Sequence, residues 1–192
     1  MPDLTTQRTL LRKELKHKRT SLTNLQQQQA GLQLAKNLQQ NPIIQNAKTI
    51  AVYLANDGEI NLHSFTNWAW QQGKNICLPI LHPIVKKHLL FLKYQTTSEL
   101  ITNKYSIKEP KLVLQNIVPL EQIDVILLPL VGFDKNCNRL GMGGGYYDRT
   151  LTQWHNNRHQ HTALIGVAHR CQQVAKLPIE PWDIPLDQIT TD

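Results

Sequence analysis

The sequence predicts a single α/β domain, 1–192, in which two N-terminal helices precede a largely parallel sheet. Two amphipathic segments come first, and short apolar segments rich in β-branched residues then alternate with helical ones. No internal repeat or linker-like change of composition divides the chain. A length of 192 residues, of which 41% are hydrophobic, is enough to bury a substantial core.

Apolar spacing and capping residues predict the two N-terminal helices. The first covers 4–19, and its leucines recur at helical spacing: Leu4, Leu11, Leu15 and Leu22. The second covers 23–40 and begins with a capping box formed by Thr23 and Gln26. Its apolar stripe comprises Leu25, Leu32, Ala35 and Leu38. The following Pro42 cannot continue the second helix, so the helix stops before it.

The rest of the chain is predicted as strands with helices between some of them. Apolar, β-branched composition predicts buried strands at 49–55, 75–80, 89–94, 125–131 and 162–168. A helix is predicted at 62–72, where Gly73 ends it, and a weak helix at 98–103. The segment 105–110 is expected to be irregular, and three prolines stiffen the tail 177–192.

Composition and charge limit the classes of function. The net charge is +7 and the sequence pI about 9.4, which suits an anionic ligand such as a nucleotide, a polyglutamate tail or a nucleic acid. No apolar run approaches the ~20 residues of a membrane span, and the polar segment 1–19 does not resemble a secretory signal. A cytoplasmic protein without a membrane partner is therefore expected. Three cysteines without a C-x-x-C motif predict neither a disulfide framework nor a cysteine zinc site.

The most informative chemistry lies in the glycine-rich stretch 133–149, after the predicted strand 125–131. Four of the nine glycines fall within five residues: Gly141, Gly143, Gly144 and Gly145. Glycine lets the backbone approach a phosphate closely, and the free N–H groups of a helix starting there would point at the anion. Arg139 adds a positive charge before the turn, and Asp148 adds an oxygen ligand suited to magnesium after it.

This stretch matches neither of the two common nucleotide-binding loops. No Gly-Lys-Ser/Thr follows, as it would in a Walker A loop, and Tyr146 stands where the dinucleotide fingerprint has its third glycine. A tight structural turn is the alternative, but such a turn would need neither Arg139 nor Asp148. The stretch is therefore interpreted as a phosphate-binding turn.

Four further residues are candidates for the same site. Arg8 and Arg12 lie four residues apart on the first helix, so they share a face and could clamp a polyphosphate. Glu59 follows the strand 49–55, at the end where ligands bind in open α/β sheets, although a solvated loop glutamate is an equal alternative. Tyr105 could stack on a flat ligand or pack on the surface of the core.

Two other patterns favour different functions. Three histidines in the segment 155–161 suggest a metal site, but no other ligands flank them, and an exposed helix end is favoured. The first helix has a basic face, with Arg8, Arg12, Lys13, Lys16, Lys18 and Arg19. Such a face would suit a small nucleic-acid-binding protein, yet no RNP, zinc-finger or similar motif is present. Nucleic acid is therefore not the expected partner.

Several spaced segments make the chain resemble the 5-formyltetrahydrofolate cyclo-ligase family, also called methenyltetrahydrofolate synthetases. The resemblance covers nearly the whole length. It rests above all on R-L-G-M-G-G-G-Y-Y-D-R at 139–149, which is very specific to this family. Weaker matches follow in the right order: 8–12, Tyr53 through Glu59-Ile60, Glu109-Pro110, 166–168, and Pro178 through Asp183 to Asp187.

The resemblance implies an ATP- and magnesium-dependent ring closure in a compact three-layer α/β sandwich. The substrate would be 5-formyltetrahydrofolate, and the products 5,10-methenyltetrahydrofolate, ADP and phosphate. The formyl oxygen would take the γ-phosphoryl group, and nitrogen 10 would then attack the resulting iminium phosphate. Such phosphoryl transfer needs positioning and charge neutralisation more than covalent help. The expected partners are the small molecules reduced folate and ATP, and a monomer is expected.

The same resemblance assigns roles to residues of this sequence. The ATP-binding residues would be Arg8, Thr9, Leu10, Leu11, Arg12, Arg139, Leu140, Gly141, Met142, Gly143, Gly144, Gly145, Tyr146 and Tyr147. The folate-binding residues would be Leu54, Glu59, Tyr105, Met142, Gly143, Gly144, Gly145 and Tyr146. Asp148 and Asp183 match magnesium positions, and the catalytic residues would be Arg139, Arg12 and Tyr146.

Two positions depart from the family pattern. Lysine is usual where Arg8 stands, and arginine keeps the charge with a different geometry. Some members carry lysine where Gly144 stands, so more of the phosphate charge would fall on Arg139 and Arg12 here. A relative that binds folate or nucleotide without turnover is the remaining alternative within the family.

Overall fold

The computed structural model describes residues 3–156 and 162–192, and a seven-stranded sheet forms its centre. The strands are β1 Thr49–Ala51, β2 Asn75–Leu81, β3 Leu89–Lys93, β4 Leu100–Thr102, β5 Lys108–Pro110, β6 Ile117–Val118, β7 Val125–Pro129, β8 Gly132–Phe133, β9 Arg139–Leu140, β10 Ala163–Ala168 and β11 Gln188–Thr191. The helices are α1 Leu4–Thr20, α2 Asn24–Gln39, α3 Pro42–Asn46, α4 His63–Gln71 and α5 Tyr146–Asn156.

The order of strands in the sheet is β11-β10-β7-β1-β2-β3-β6. The first five run parallel to their neighbours, whereas β3 and β6 pair antiparallel at one edge. The predicted largely parallel sheet is therefore confirmed. The carboxyl ends of the parallel strands meet along one edge, which is where ligands bind in open α/β sheets.

Alternation along the central strands creates one hydrophobic core on each face of the sheet. On β7, Val125 and Leu127 face the first core, which also contains side chains of α2 and α4. Ile126 faces the second core together with Leu151 of α5 and Ile184 of the tail. Each fully buried aliphatic side chain stabilises the fold by roughly 1.5–3 kcal/mol. The two cores give the predicted three-layer sandwich.

Both N-terminal helices are present, and the predicted capping box of α2 forms. Thr23 donates its backbone N–H to Gln26 Oε1 at 2.8 Å, and Gln26 donates its backbone N–H to Thr23 Oγ1 at 3.3 Å. The predicted apolar stripe of α2 is wrong in part, because Leu25 and Leu32 are exposed. The buried face is instead formed by Ala30, Gly31, Leu34, Ala35 and Leu38.

The inward face of α1 matches the predicted leucine stripe only in part, because Leu15 is buried while Leu4, Leu11 and Leu22 are half-buried. Its buried residues are Arg8, Leu15 and Arg19. Leu15 and Arg19 lie seven and eleven residues after Arg8, so all three share one side of the helix. Arginines that were grouped with a basic outer face therefore turn toward the interior. Lys13, Lys16 and Lys18 are exposed, as predicted for a solvated face.

The weak helix predicted at 98–103 is wrong. Strands β4 and β5 form an antiparallel hairpin instead, so the segment 105–110, expected to be irregular, ends in a strand. Leu100, Ile101 and Thr102 favour an extended backbone because two of them are β-branched. The carboxylate of Glu109 accepts hydrogen bonds from Asn103 Nδ2 at 2.8 Å and from the N–H of Leu81 at 3.2 Å. These bonds fix the hairpin loop against the end of β2.

The first strand and the tail also differ from the prediction. The strand predicted at 49–55 ends at Ala51, after which the chain leaves the sheet. The tail contains β11, which pairs in parallel with β10 and which its polar sequence concealed. The histidine segment 155–161 lies outside the described side chains. Among the residues that the structure describes, no helix is long and apolar enough to cross a membrane.

Candidate active site

A cleft of about 670 Å³ lies at the carboxyl ends of β1, β2 and β7. This volume falls within the range of pockets that enclose a nucleotide or another drug-sized ligand. Its wall includes the apolar end of β2 and the chain that follows β1, while α1, the β4–β5 hairpin and the glycine turn close its sides. The fold thus brings segments from the whole length of the chain to one place.

Most of the predicted site residues line this cleft. They are Arg8, Arg12, Leu54, Glu59, Tyr105, Arg139, Gly141, Met142, Gly143, Gly144, Gly145, Tyr146, Tyr147, Asp148 and Asp183. Four predicted ATP-binding residues do not line it. Thr9 and Leu10 are exposed and Leu11 is half-buried, because they lie off the α1 face that carries Arg8 and Arg12, and Leu140 is fully buried beneath the turn.

Arg8 is held by the tail of the chain. Its Nη1 and Nη2 donate to the two carboxylate oxygens of Asp183 at 2.5 and 3.0 Å, and Nη1 also donates to the carbonyl of Pro178 at 2.7 Å. Asp183 Oδ2 additionally accepts from the backbone N–H of Glu180 at 2.9 Å. A lysine could not make this planar, bidentate pairing.

Arg139 makes a second ion pair beside the first. Its Nη1 donates to the carbonyl of Ile184 at 2.6 Å, and its Nη2 donates to Asp148 Oδ1. Because Ile184 follows Asp183, the two ion pairs are neighbours. We call Arg8, Arg139, Asp148 and Asp183 the arginine floor of the cleft. In the described part of the chain, no group of three or more His, Cys, Asp or Glu side chains could by itself hold a metal ion.

Arg12 connects the floor to the glycine turn. Its Nε donates to the carbonyl of Gly141 at 2.8 Å. Burial, and then the neighbouring charge of Arg8, lower the pKa of Arg12 from its usual value. Both causes disfavour the charged form of Arg12, and a bound anion would favour it.

The glycine turn leads directly into α5. Gly143 and Gly145 have φ values of +92° and +68°, a backbone region that favours glycine. Helix α5 begins at Tyr146, and its first N–H groups have no partners within the helix. The residues that carry them border the cleft. This geometry is suited to an anion.

Two tyrosines meet at the mouth of the cleft, and we call them the tyrosine rim. The hydroxyl oxygens of Tyr105 and Tyr146 are 2.8 Å apart, and their rings meet edge-to-face with centroids 6.1 Å apart. This hydrogen bond is the main cause that lowers the pKa of Tyr105 and raises the pKa of Tyr146. Tyr105 is 50% exposed, so it lies at the entrance and does not pack on the core.

Glu59 lines the cleft from a tight turn. It is half-buried, and its Oε2 accepts a hydrogen bond from the N–H of Asn56 at 3.1 Å. Burial raises the pKa of this carboxyl group. Beside it, the buried hydroxyl of Tyr53 donates to the carbonyl of Ile60 at 2.8 Å. Glu59 therefore faces the cleft and is not a solvated loop glutamate.

Sequence reasoning missed several residues of the cleft. Pro79 and Ile80 of β2 and Leu128 of β7 form part of its apolar wall. Their position at the carboxyl ends of predicted strands was a usable signal. Trp182 also lines the cleft and is 64% exposed. An exposed tryptophan next to the predicted Asp183 could likewise have been noticed.

Comparison with known proteins gives a consistent family. The model of the 5-formyltetrahydrofolate cyclo-ligase family matches residues 4–192. The Escherichia coli K12 protein named 5-formyltetrahydrofolate cyclo-ligase is 45% identical over 177 residues, which cover 92% of this chain and 96% of that protein. The Haemophilus influenzae protein of the same name is 44% identical over 185 residues, covering 96% and 97%.

Solved structures agree with the sequence comparisons. The 5,10-methenyltetrahydrofolate synthetase of Mycoplasma pneumoniae superimposes with a TM-score of 0.75 at 27% identity, covering 96% of this chain and 98% of that one. The Aquifex aeolicus 5,10-methenyltetrahydrofolate synthetase gives a TM-score of 0.78 at 29% identity, covering 95% and 88%. The similarity thus extends over the full fold.

Proposed function

This chain belongs to the 5-formyltetrahydrofolate cyclo-ligase family, and from that premise we propose that it converts 5-formyltetrahydrofolate to 5,10-methenyltetrahydrofolate with ATP and Mg²⁺. The observation that carries this proposal is the presence of two unlike sets of residues in one cleft. Three arginines and the glycine turn offer a polyphosphate site. Glu59, an apolar wall and the tyrosine rim offer a site for a flat, hydrogen-bonding ring system.

The first chemical step would be phosphoryl transfer to the formyl oxygen. A bond forms between that oxygen and the γ-phosphorus, while the bond between the γ-phosphorus and the bridging oxygen of ADP breaks. Arg139 and Arg12 would stabilise the charge that develops on the transferring group, because they border the turn in a partly desolvated cleft. Tyr146 could donate its hydroxyl hydrogen to the same group once the rim opens.

The second step would close the ring. Nitrogen 10 attacks the activated formyl carbon and loses its proton, and the carbon–oxygen bond breaks with release of phosphate. Glu59, Leu54 and Tyr105 would hold the folate so that nitrogen 10 and the carbon are in contact, since correct orientation is the largest contribution a protein can make here. The product is 5,10-methenyltetrahydrofolate.

The residues present fit a magnesium ion bound together with the nucleotide. Magnesium usually takes one or two carboxylates and completes its shell with phosphates and water. Asp148 and Asp183 offer two carboxylates on the arginine floor, and 28% of the Asp148 side chain is accessible. The bound ion would neutralise phosphate charge. Both carboxylates pair with arginines, and Arg8 and Arg139 would share them with the bound ion.

The basic face of α1, which suggested nucleic-acid binding, does not form as expected. Arg8 and Arg19 are buried, and Arg12 binds the glycine turn. Lys13, Lys16 and Lys18 remain on the outside, and three lysines form no recognisable nucleic-acid motif.

The test is an absorbance assay for methenyltetrahydrofolate formed from 5-formyltetrahydrofolate. We expect product only when ATP and magnesium are both present, and none when a non-hydrolysable ATP analogue replaces ATP. Product formed without ATP would contradict the proposed mechanism. A folded protein that binds ATP but forms no product would instead be a relative without turnover.

A further inference from the structure

The guanidinium of Arg19 lies fully buried between two turns that border the cleft. Its Nε donates to the carbonyl of Asp57 at 3.0 Å, and its Nη2 is 3.5 Å from Asp57 Oδ2. Its Nη1 donates to the carbonyl of Leu130 at 3.3 Å, and its Nη2 also contacts Met142 Sδ at 3.8 Å. One side chain thus contacts the turn before Glu59, the chain after β7 and the glycine turn.

Burying the charge of Arg19 at this position carries a large desolvation free energy. Removing a charged group from water costs several kcal/mol, and a buried ion pair is weak evidence for stability. Leu15, one helical turn earlier on the same face, fills its position with an apolar side chain. The rigid fork of a guanidinium can, however, fix several acceptors at defined distances from one another. Geometry therefore explains the arginine better than stability does.

The turn on one side of Arg19 needs outside support. Asp57 and Gly58 have φ values of +52° and +75°, and a residue other than glycine is strained in this region. Gln27 Nε2 donates to the carbonyl of Gly58 at 3.3 Å and to that of Arg19 at 2.9 Å. The end of α1 and the start of α2 thus hold the turn that presents Glu59 to the cleft.

The glycine turn on the other side is held by side chains of α5 and α1. From α5, Arg149 Nη1 donates to the carbonyls of Gly144 and Gly145 at 3.1 and 3.3 Å. Met142 is 56% exposed, and the neighbouring Gly143 has the positive φ described above. Two side chains of α1 contact this turn: Arg12 binds the carbonyl of Gly141, and Arg19 contacts the sulfur of Met142. Arg19 does not line the cleft, so it would influence a ligand through the turns that it contacts. Its charge also acts on Glu59: burial raises the pKa of that carboxyl group, and the charge of Arg19 opposes the rise.

We propose that Arg19 is a positioning residue that sets the spacing between Glu59 and Met142, and thereby the width of the folate half of the cleft. The proposal rests on the proposed function, because it takes folate as the ligand between these residues. Arg8, at the other end of α1, is fixed independently by Asp183 and Pro178. Arg19 therefore acts on the folate half through the turn of Glu59 and through Met142, and it reaches the nucleotide only through the glycine turn, which Arg12 and Arg149 also hold.

The test compares Arg19→Met with Lys16→Met. Both variants remove a cation that pairs with Asp57, since Lys16 Nζ lies 2.7 Å from Asp57 Oδ2, but only Arg19 reaches Leu130 and Met142. We expect Arg19→Met to raise the KM for 5-formyltetrahydrofolate about 10-fold, the size of one lost hydrogen bond to a charged group. The KM for ATP should change less than about twofold, and Lys16→Met should match the unchanged protein in both constants.

Arg19→Lys separates charge from geometry and serves if Arg19→Met does not fold. It keeps the positive charge but loses the fork, so a rise confined to the KM for folate supports the proposal. An unchanged KM for folate, or an equal rise for both substrates, would overturn it. Calorimetric binding of 5-formyltetrahydrofolate and of ATP to the same variants decides the matter if turnover is absent, and absent turnover alone counts only against the proposed function. Failure of the unchanged protein to bind folate would overturn both.

Discussion

The arginine floor and the tyrosine rim lie in one cleft but are built in opposite ways. The floor consists of buried or half-buried charges joined in two ion pairs. Arg8 and Asp183 come from the two ends of the chain, whereas Arg139 and Asp148 lie nine residues apart. The rim consists of two neutral side chains at the surface, joined by one hydrogen bond. The floor takes its residues from α1, β9, α5 and the tail, whereas the rim needs only the β4–β5 hairpin and the start of α5.

This difference teaches how the cleft divides its tasks. Charges that are fixed before the ligand arrives need no reorganisation when a phosphoryl group is transferred, and this is where electrostatic stabilisation is strongest. A single neutral hydrogen bond contributes only about 0.5–1.5 kcal/mol, so the rim can open to admit a bulky folate at little cost. The floor is suited to stabilising charge, and the rim to exchanging ligands.

Replacing Arg139 with alanine should have the largest effect. Under the proposed mechanism, the change removes the charge that would face the transferring phosphoryl group, and we expect turnover to fall by ~10²-fold or more. Steady-state kinetics measures the effect, and thermal unfolding checks that the variant is folded. Arg170→Ala is the matched control, because Arg170 is exposed and does not line the cleft. Unchanged kinetics in Arg139→Ala would show that the floor does not act on the phosphoryl group.

Asp183→Asn should show what the ion pairs of the floor contribute to stability. The substitution keeps the shape of the side chain but leaves the buried Arg8 without its carboxylate. We expect the free energy of unfolding to fall by about 1–3 kcal/mol, measured by urea titration. The exposed Glu121→Gln serves as control. A loss of stability no greater than in the control would mean that Arg8 does not depend on this pair.

Glu59→Gln tests the folate half of the cleft. Binding of 5-formyltetrahydrofolate should weaken about 10-fold, in line with the loss of a hydrogen bond to a charged group, while ATP affinity stays the same. Calorimetry measures both. Equal weakening for the two ligands would contradict the assignment of Glu59 to the folate half.

The pH dependence of folate binding gives Glu59 a second test. Burial raises the pKa of its carboxyl group, so Glu59 takes up a proton at a higher pH than an ordinary glutamate, whose pKa is about 4.3. Folate affinity should therefore decline with falling pH through that raised pKa, and this component should be missing in Glu59→Gln. Identical pH profiles for both proteins would exclude ionised Glu59 as a folate ligand.

Tyr105→Phe should have the smallest effect and tests the rim directly. The variant keeps the ring but loses the hydrogen bond to Tyr146, so the ring is held less firmly before folate binds. We expect the KM for folate to rise about threefold, within the value of one neutral hydrogen bond, with kcat changed less than twofold. Tyr94→Phe, outside the cleft, is the control. A fall in kcat comparable to that of Arg139→Ala would mean that Tyr105 itself takes part in the chemistry.

The sequence predicted the floor and the rim to different degrees. Local sequence patterns predicted the glycine turn, the position of Arg8 and Arg12 on one helix face, and the parallel strands. No local pattern could show that Arg8 would pair with Asp183, 175 residues away. The hairpin of the rim was mistaken for a helix, because 98–103 is too short for a periodic signal to separate helix from strand.

The inward arginines of α1 were the hardest feature to foresee. Hydrophobicity assigns arginine to the outside, and burial of Arg19 depends on acceptors supplied by Asp57, Leu130 and Met142. These acceptors come from three separate loops, whose meeting point is fixed only by the tertiary structure. β11 was missed for a related reason, since its polar residues gain their strand partner only when β10 is in place.

The pairing of Arg8 with Asp183 also has a consequence for biosynthesis. A ribosome adds about 5–20 residues per second, so roughly 10–35 s separate the synthesis of these two partners, which lie 175 residues apart. A nascent chain therefore displays Arg8 without its counter-ion for that time, and closing so long a loop also carries an entropic cost. Under the proposed function, nucleotide binding at Arg8 would therefore mark a chain whose first helix has already met its tail.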